Sequence, residues 1–491
     1  GQLAESWENP DPLTYVFKIR DDVFWHDKAP GNGRQLTAHD IAYSFNRVLG
    51  LDGGEPGQDI GNGMLSKVEW DSITAPDDST VVVKLKAPSL ESVKALTVCS
   101  HCYIVAREVV EQFGDIQDWR NVTGTGPYQL TDVVEGSSWT YTRIDDYWGF
   151  DEKFPDNRLP YADQIELLIV FDPATRLSLM RSGQADWMGR ATNSHLSNVD
   201  QALSLQETNP DLVLTTFSFR AETAFTFDNQ SEPWNDIRVR RALNMAIDFD
   251  AISESYHRGW SDTTPVGGFG RAVLGYAVPF EEWPEEIAQW YRFDPEAAEK
   301  LLDEAGLPRD ADGVRFKTVY EHYEFFDLGY YQIAMDYLRQ IGIDVEIRVI
   351  DRSTHQQKGI ECSSNPFDCP YLGLRTDVHG AEYPGATTVI QDTSSTAGWR
   401  HKNVIDAEFD EYFQNMLAAT TLEEQQEWAR KADLRIAEGI WVIRGPRAPL
   451  FNVGQPWLKG YNGEGDLGNL QQMPIYARLW IDQDLKREMG S

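Results

Sequence analysis

The chain has 491 residues, of which 41% are hydrophobic and 12% aromatic, and it carries a formal net charge of −34. That length asks for two or three domain cores, and the apolar content can fill them. The acidic charge is spread along the chain rather than gathered in a tail; it argues against nucleic acid as a partner, because phosphates need a basic face, and reads as a solvated surface that also suits a high-salt habitat.

In chain order, residues 3–100 predict a small α/β unit. Residues 13–20 alternate as a strand, and Asp21-Asp22 turns the chain into Val23-Phe24-Trp25-His26. Thr37 and Asp40 cap a helix whose face is Ile41, Phe45 and Val48. Residues 49–63 form a glycine-rich surface loop, and 81–85 another strand. His26 and His39, beside a turn and a cap, read as ordinary hydrogen-bonded or surface histidines. No apolar run reaches the ~20 residues that cross a bilayer. The cysteines fall in two close pairs, Cys99 with Cys102 and Cys362 with Cys369. Two local disulfides suit an exported protein; a zinc site (with or without His101), a redox Cys-x-x-Cys and free thiols are the other readings.

Residues 124–188 are the most legible stretch. Gly124-Thr125-Gly126-Pro127 is turn chemistry, 128–134 alternates, and Trp139, Tyr141 and Arg143 share a face of the returning strand, which predicts a hairpin. The near-continuous apolar run 165–171 predicts a strand covered on both faces, running into a helix capped by Asp172-Pro173 with Leu177 and Met180 buried and Gly183 ending it. Farther on, Asp236 caps a helix with the stripe Val239, Leu243 and Ile247; Arg238, Arg240 and Arg241 around it predict a solvated face or an interlobe ion pair. Asp294-Pro295 opens a helix that Gly306 ends. A strand at 316–320, a helix at 331–341 and a strand at 344–349 follow. Helices at 407–417 and 422–437 precede strands at 440–443 and 450–453.

These runs, in this order, resemble the bacterial extracellular solute-binding proteins of the peptide/nickel family (family 5), the receptors of ABC importers. The matching pieces are Leu3-Ala4-Glu5-Ser6-Trp7, the 124–128 turn, Asp146-Tyr147-Trp148-Gly149, the run from Leu159 through Asp172, Thr175 and Arg176 to Gly183 and Asp186 with Met180 in place of a leucine, and 231–248. The resemblance covers 3–482 and implies that 476–481 is a closing strand-like segment. It implies a two-lobed α/β fold like that of periplasmic binding proteins, of class II or cluster C type, with mixed sheets and a hinge. The large lobe is expected at 1–222 (an α/β subdomain at 3–122, a central sheet part at 123–222), the second lobe at 223–445, and a return to the large lobe at 446–491. It also implies that a segment with an export signal and the first strand of the large lobe precedes Gly1.

The function implied is capture of an oligopeptide-like or similar small polar solute by lobe closure, outside the cytoplasm, in the periplasm or lipid-anchored, followed by delivery to a membrane permease. A monomer with no cofactor and no metal is expected. Loops that follow cleft-facing strands nominate Tyr128, Trp260, His322, Tyr323, Glu382 and Tyr383, with Trp399 and Arg400 behind them. In peptide-binding members an aspartate of the 380s turn pairs with the ligand's ammonium; here that position is Glu382. Gly385-Ala386 departs from the usual Asp-Pro, and 375–379 reads as inserted, so sugars or metal chelates stand beside peptides as ligands. The rival class is a secreted glycoside hydrolase, which needs two carboxylates across a sugar; no pair stands out, and Gly-x-Ser-x-Gly, His-Glu-x-x-His and Walker A are missing. A non-enzyme is expected. The Gly-x-Gly-x-x-Gly at 463–468 holds Glu464 and Asp466 where a pyrophosphate would sit, and reads as a loop.

Overall fold

The computed structural model describes residues 3–51, 68–97, 103–189, 195–218, 221–269, 274–324, 326–364, 373–380, 390, 393–395, 404–463 and 473–490. Among them no helix is long and apolar enough to cross a membrane.

The N-terminal unit is a four-stranded antiparallel sheet, β1 (Ala4–Asp11), β2 (Thr14–Ile19), β3 (Trp70–Asp77) and β4 (Thr80–Leu85), in the order β1-β2-β4-β3. The helix Ala38–Leu49 packs on it and opens with a reciprocal capping box between Thr37 and Asp40. Asp40 is buried because Arg34 reaches it with two nitrogens, at 2.6 and 2.8 Å, while also holding Glu108. Val23, Trp25, Leu36, Ile41, Val81 and Val83 fill the core.

Next come β5 (Tyr128–Val134), β6 (Ser138–Arg143) and β7 (Gln164–Leu168), an antiparallel sheet with β6 in the middle. The hairpin is as the sequence predicts. The strand at 165–171 is not: β7 stops at Leu168, lies at the sheet edge, and Phe171 is 85% exposed. An apolar run records hydrophobicity but not how many neighbours the strand will have. The helix behind it, Pro173–Arg181, is capped by Asp172 through Thr175 N–H at 2.7 Å, with Leu177 and Met180 inside.

β8 (Trp187–Met188) and β9 (Val213–Ser218) complete the large-lobe sheets with β15 (Pro449–Gly454) in the order β8-β15-β9. The second lobe holds a mixed five-stranded sheet of β10 (Ala221–Thr226), β11 (Phe316–Tyr323), β12 (Ile343–Ile350), β13 (Gly373–Gly380) and β14 (Val442–Arg444), ordered β12-β11-β13-β10-β14. β11 runs parallel to β12 and β13; β10 is antiparallel to both its neighbours. The helices Leu328–Gln340 and Arg352–Ser364 make the two crossovers and cover opposite faces: Tyr331 of the first stacks on Tyr320, and Lys358 of the second pairs with Glu321. A short pair, β16 (Leu458–Lys459) with β17 (Trp480–Ile481), closes the chain. The stretch 476–481 is therefore mostly not a strand: the helix Met473–Arg478 buries Ile475, Tyr476 and Ala477 before β17 begins.

The three arginines near the helix Ile237–Ala246 go three ways. Arg238 pairs with its own cap, Asp236. Arg241 lies over the Trp290 ring, 4.3 Å from its centroid. Arg240 is buried and donates to the carbonyls of Gly439 (2.9 Å) and Trp234 (2.7 Å), so this position is neither a solvated face nor an ion pair.

Candidate functional site: the cleft between two lobes

Two strand pairs carry the chain between the lobes. β9 and β15 pair from Val213↔Gly454 to Ser218↔Pro449, and β10 and β14 continue across the junction with Ala224↔Arg444 through Thr226↔Val442. Between them Gly445 N–H donates to Thr223 O at 2.7 Å and Thr223 Oγ1 donates to Pro446 O at 2.9 Å. A side chain at Gly445 would collide with the Tyr330 hydroxyl, so the close approach itself selects glycine there.

The register orients the second lobe. The amino end of β10, next to the crossing, pairs with the carboxyl end of β13 (Ala221↔Gly380), and β13 runs parallel to β11 and β11 to β12. The carboxyl ends of three parallel strands thus face the large lobe. Open α/β sheets bind ligands outside that end. Tyr323, the last residue of β11, is there; its ring lies flat on His355 at 4.4 Å, and its N–H donates to Thr376 Oγ1 at 3.1 Å. His322 is turned to the other face and only 1% exposed. Its Nε2–H donates to Phe326 O at 3.1 Å, its Nδ1 faces the Tyr320 hydroxyl at 3.2 Å, and burial lowers its pKa.

Trp260 sits at the junction. Its ring, 47% exposed, leans on Phe451 of β15 at 5.6 Å, and two residues on, the Arg447 N–H donates to Asp262 O at 2.9 Å. Arg258 pairs with Asp200 of the large lobe at 2.6 Å on the surface. Tyr128 is placed elsewhere: it is buried with Ile475, Tyr476 and Leu479, its hydroxyl donates to Tyr476 O at 3.3 Å, and burial raises its pKa. The 124–127 turn ahead of it is clamped by His26, whose N–H and Nε2–H donate to the carbonyls of Gly124 (2.8 Å) and Gly126 (2.9 Å). His39 lies on the surface, its Nε2 3.4 Å from Asp78. A cavity of about 800 Å³ lies along that turn within the large lobe, lined by Arg20, Tyr147 and Trp148 among others.

Of the residues nominated from sequence, the structure thus brings Tyr323 to the cleft end of its sheet and Trp260 to the junction, and puts His322 and Tyr128 in cores. Glu382, Tyr383, Trp399 and Arg400 lie outside the described residues, as do Cys99, Cys102, Cys369 and the side chain of Cys362. His355 was missed; no motif marks it, because its partner Tyr323 is 32 residues away and met only through the sheet.

The family model for bacterial extracellular solute-binding proteins, family 5 Middle, matches residues 1–367. The chain is 23% identical over 504 residues to the periplasmic oligopeptide-binding protein OppA of Salmonella typhimurium, covering 96% of this chain and 84% of that one. Its fold superposes on the ABC transporter-associated periplasmic binding protein DppA of Helicobacter pylori in complex with the peptide STSA, with TM-score 0.77, 20% identity and 98% and 89% coverage. It also superposes on AgaA of A. tumefaciens R10 in complex with agropinic acid, with TM-score 0.76, 19% identity and 98% and 89% coverage. With two lobes joined by paired crossing strands and that match over most of its length, the chain belongs to the bacterial extracellular solute-binding proteins of family 5.

Proposed function

We propose that this protein captures an oligopeptide-like or similarly small polar solute between its lobes, outside the cytoplasm, and hands it to an ABC importer's permease. The observation that carries the reading is the register: the carboxyl ends of three parallel strands of the second lobe lie at the same end of their sheet as the crossing to the large lobe. The lobes are 1–222 with 446–491, and 223–445, and they close by hinge motion about the crossings, a mode for which periplasmic binding proteins are a standing example. Tyr323, Trp260, Tyr383 and Trp399 supply aromatic surface to the solute, and Glu382 and Arg400 its polar contacts; the protein works as a monomer, free in the periplasm or lipid-anchored.

Peptide is the leading solute because relatives along the whole chain, OppA among them, are named for oligopeptides. Agropinic acid in a similar fold supports a second reading, a small non-peptide acid. A thermal-shift screen with di- to hexapeptides, small non-peptide acids, oligosaccharides and metal chelates separates them. A ligand at about a hundred times its Kd stabilises by about 2.7 kcal/mol, which a melting curve resolves. Shifts with peptides alone support the first reading, shifts with acids alone the second, and no shift with any class removes both.

A further inference from the structure

The second lobe also touches the N-terminal unit away from the crossing strands. Gln425, near the start of the helix Leu422–Gly439, donates from Nε2 to Glu91 Oε1 at 3.3 Å, and Tyr276 donates its hydroxyl to Gln425 Oε1 at 2.6 Å. Glu91 and Gln425 are each 2% exposed and Tyr276 is 4% exposed. The Tyr276 end is fixed to the same helix. Asp433 accepts the N–H groups of Phe269 (2.9 Å) and Val278 (2.8 Å), which ties down both sides of the loop carrying Tyr276. Tyr276 and Gln425 therefore move as one piece with the second lobe, and Glu91 moves with the N-terminal unit.

Among the described residues, other contacts between the lobes lie beside the junction, as with Trp260 on Phe451, the Arg258–Asp200 ion pair two residues before Trp260, and the Arg447 N–H on Asp262 O. Rotation about the crossings changes those little. Glu91 and Gln425 sit on elements that share no chain connection except through the crossings, so the same rotation moves one against the other. Separation breaks a hydrogen bond to a buried carboxylate and lets water into a sealed contact.

We infer that Glu91, Gln425 and Tyr276 form a latch made only when the lobes are closed, which strengthens binding of every solute by favouring closure and touches none of them. It rests on the reading that the lobes close on a solute. Observed affinity scales with the fraction of protein already in the binding-competent form, so a contact independent of the solute changes all affinities by one factor. A residue in the cleft changes them unequally.

The test is Gln425→Glu, which sets two carboxylates against each other, and the double variant Glu91→Gln with Gln425→Glu, which reverses the polarity and restores one hydrogen bond. Small-angle X-ray scattering of the ligand-free proteins reads lobe separation without needing a solute; calorimetry with each solute from the screen reads affinity. Gln425→Glu is expected to enlarge the scattering radius and weaken every solute about tenfold, the worth of one hydrogen bond to a charged group. The double variant is expected to return both to the parent values. Unchanged scattering of Gln425→Glu, or weakening confined to one solute, overturns the latch. If no solute binds the parent, the capture reading fails by calorimetry, while the scattering series still decides the latch. Should circular dichroism show Gln425→Glu unfolded, Gln425→Ala replaces it with the same expectation.

Discussion

The imidazole of His355 lies parallel to the ring of Tyr323, with centroids 4.4 Å apart and planes 5° apart, at the end of the second-lobe sheet that faces the large lobe. The pair holds Tyr323 in one orientation. His355→Ala is expected to cost about 0.5–1.5 kcal/mol of stability, the usual worth of an aromatic pair, and His355→Phe to keep most of it. Tyr323→Ala is expected to weaken solute binding as well. Melting curves and calorimetric titration of the three variants check this; normal affinity in Tyr323→Ala removes Tyr323 from the cleft.

Gly445 lies in the crossing and packs against the Tyr330 hydroxyl with no room for a Cβ. Gly445→Ala is expected to destabilise by about 1–3 kcal/mol through overpacking. Tyr330→Phe in the same chain removes the colliding oxygen and should recover part of the loss. Denaturant melts of the single and double variants measure the coupling.

Asp433 is fully buried, and burial raises its carboxyl from the usual 3.8 to about 6 despite the N–H groups it accepts. The folded protein thus holds this proton more tightly than the unfolded chain. Its contribution to stability falls as pH rises from about 4 to about 6. Asp433→Asn should flatten that part of a stability–pH profile. Asp433→Ala leaves two buried N–H groups without their acceptor and should cost about 2–5 kcal/mol at any pH.

His26, His257 and His322 are buried, and burial lowers all three pKa values from the usual 6.5. Here the unfolded chain binds protons more readily than the folded one. The stability they contribute is complete above about pH 6.5 and is lost as pH falls below it, the opposite slope to Asp433. Chemical denaturation at pH 7.5, 6.5 and 5.5 in the Asp433→Asn background isolates the histidine part; a flat profile there contradicts it.

Local chemistry is what the sequence makes plain. Thr37 with Asp40, Asp172 with Pro173, Asp236 and Asp294 all open helices where read, because a cap needs only its own next three residues. The hairpin at 128–143 was equally clear, since its turn and alternation are adjacent in the chain. Errors begin where neighbours decide. The run at 165–171 is apolar enough for a central strand yet pairs on one side only, and 476–481 buries its apolar residues mostly from a helix. Arg240 reads as a surface arginine because its two carbonyl partners come from Trp234 and from Gly439 at the end of a distant helix.

The candidate site divides the same way. By itself the sequence determined the family, through ordered motifs whose spacing is local, and with it two lobes and a cleft. It also nominated Tyr323 and Trp260 as residues beyond strand ends. Tertiary structure alone decided that His322, one residue before Tyr323, points into the core, because successive residues of a strand face opposite sides and only the sheet's neighbours say which side is open. It alone decided that Glu91 meets Gln425 across 334 residues of chain. No local pattern encodes such a pair, since each residue is ordinary until folding removes the water between them.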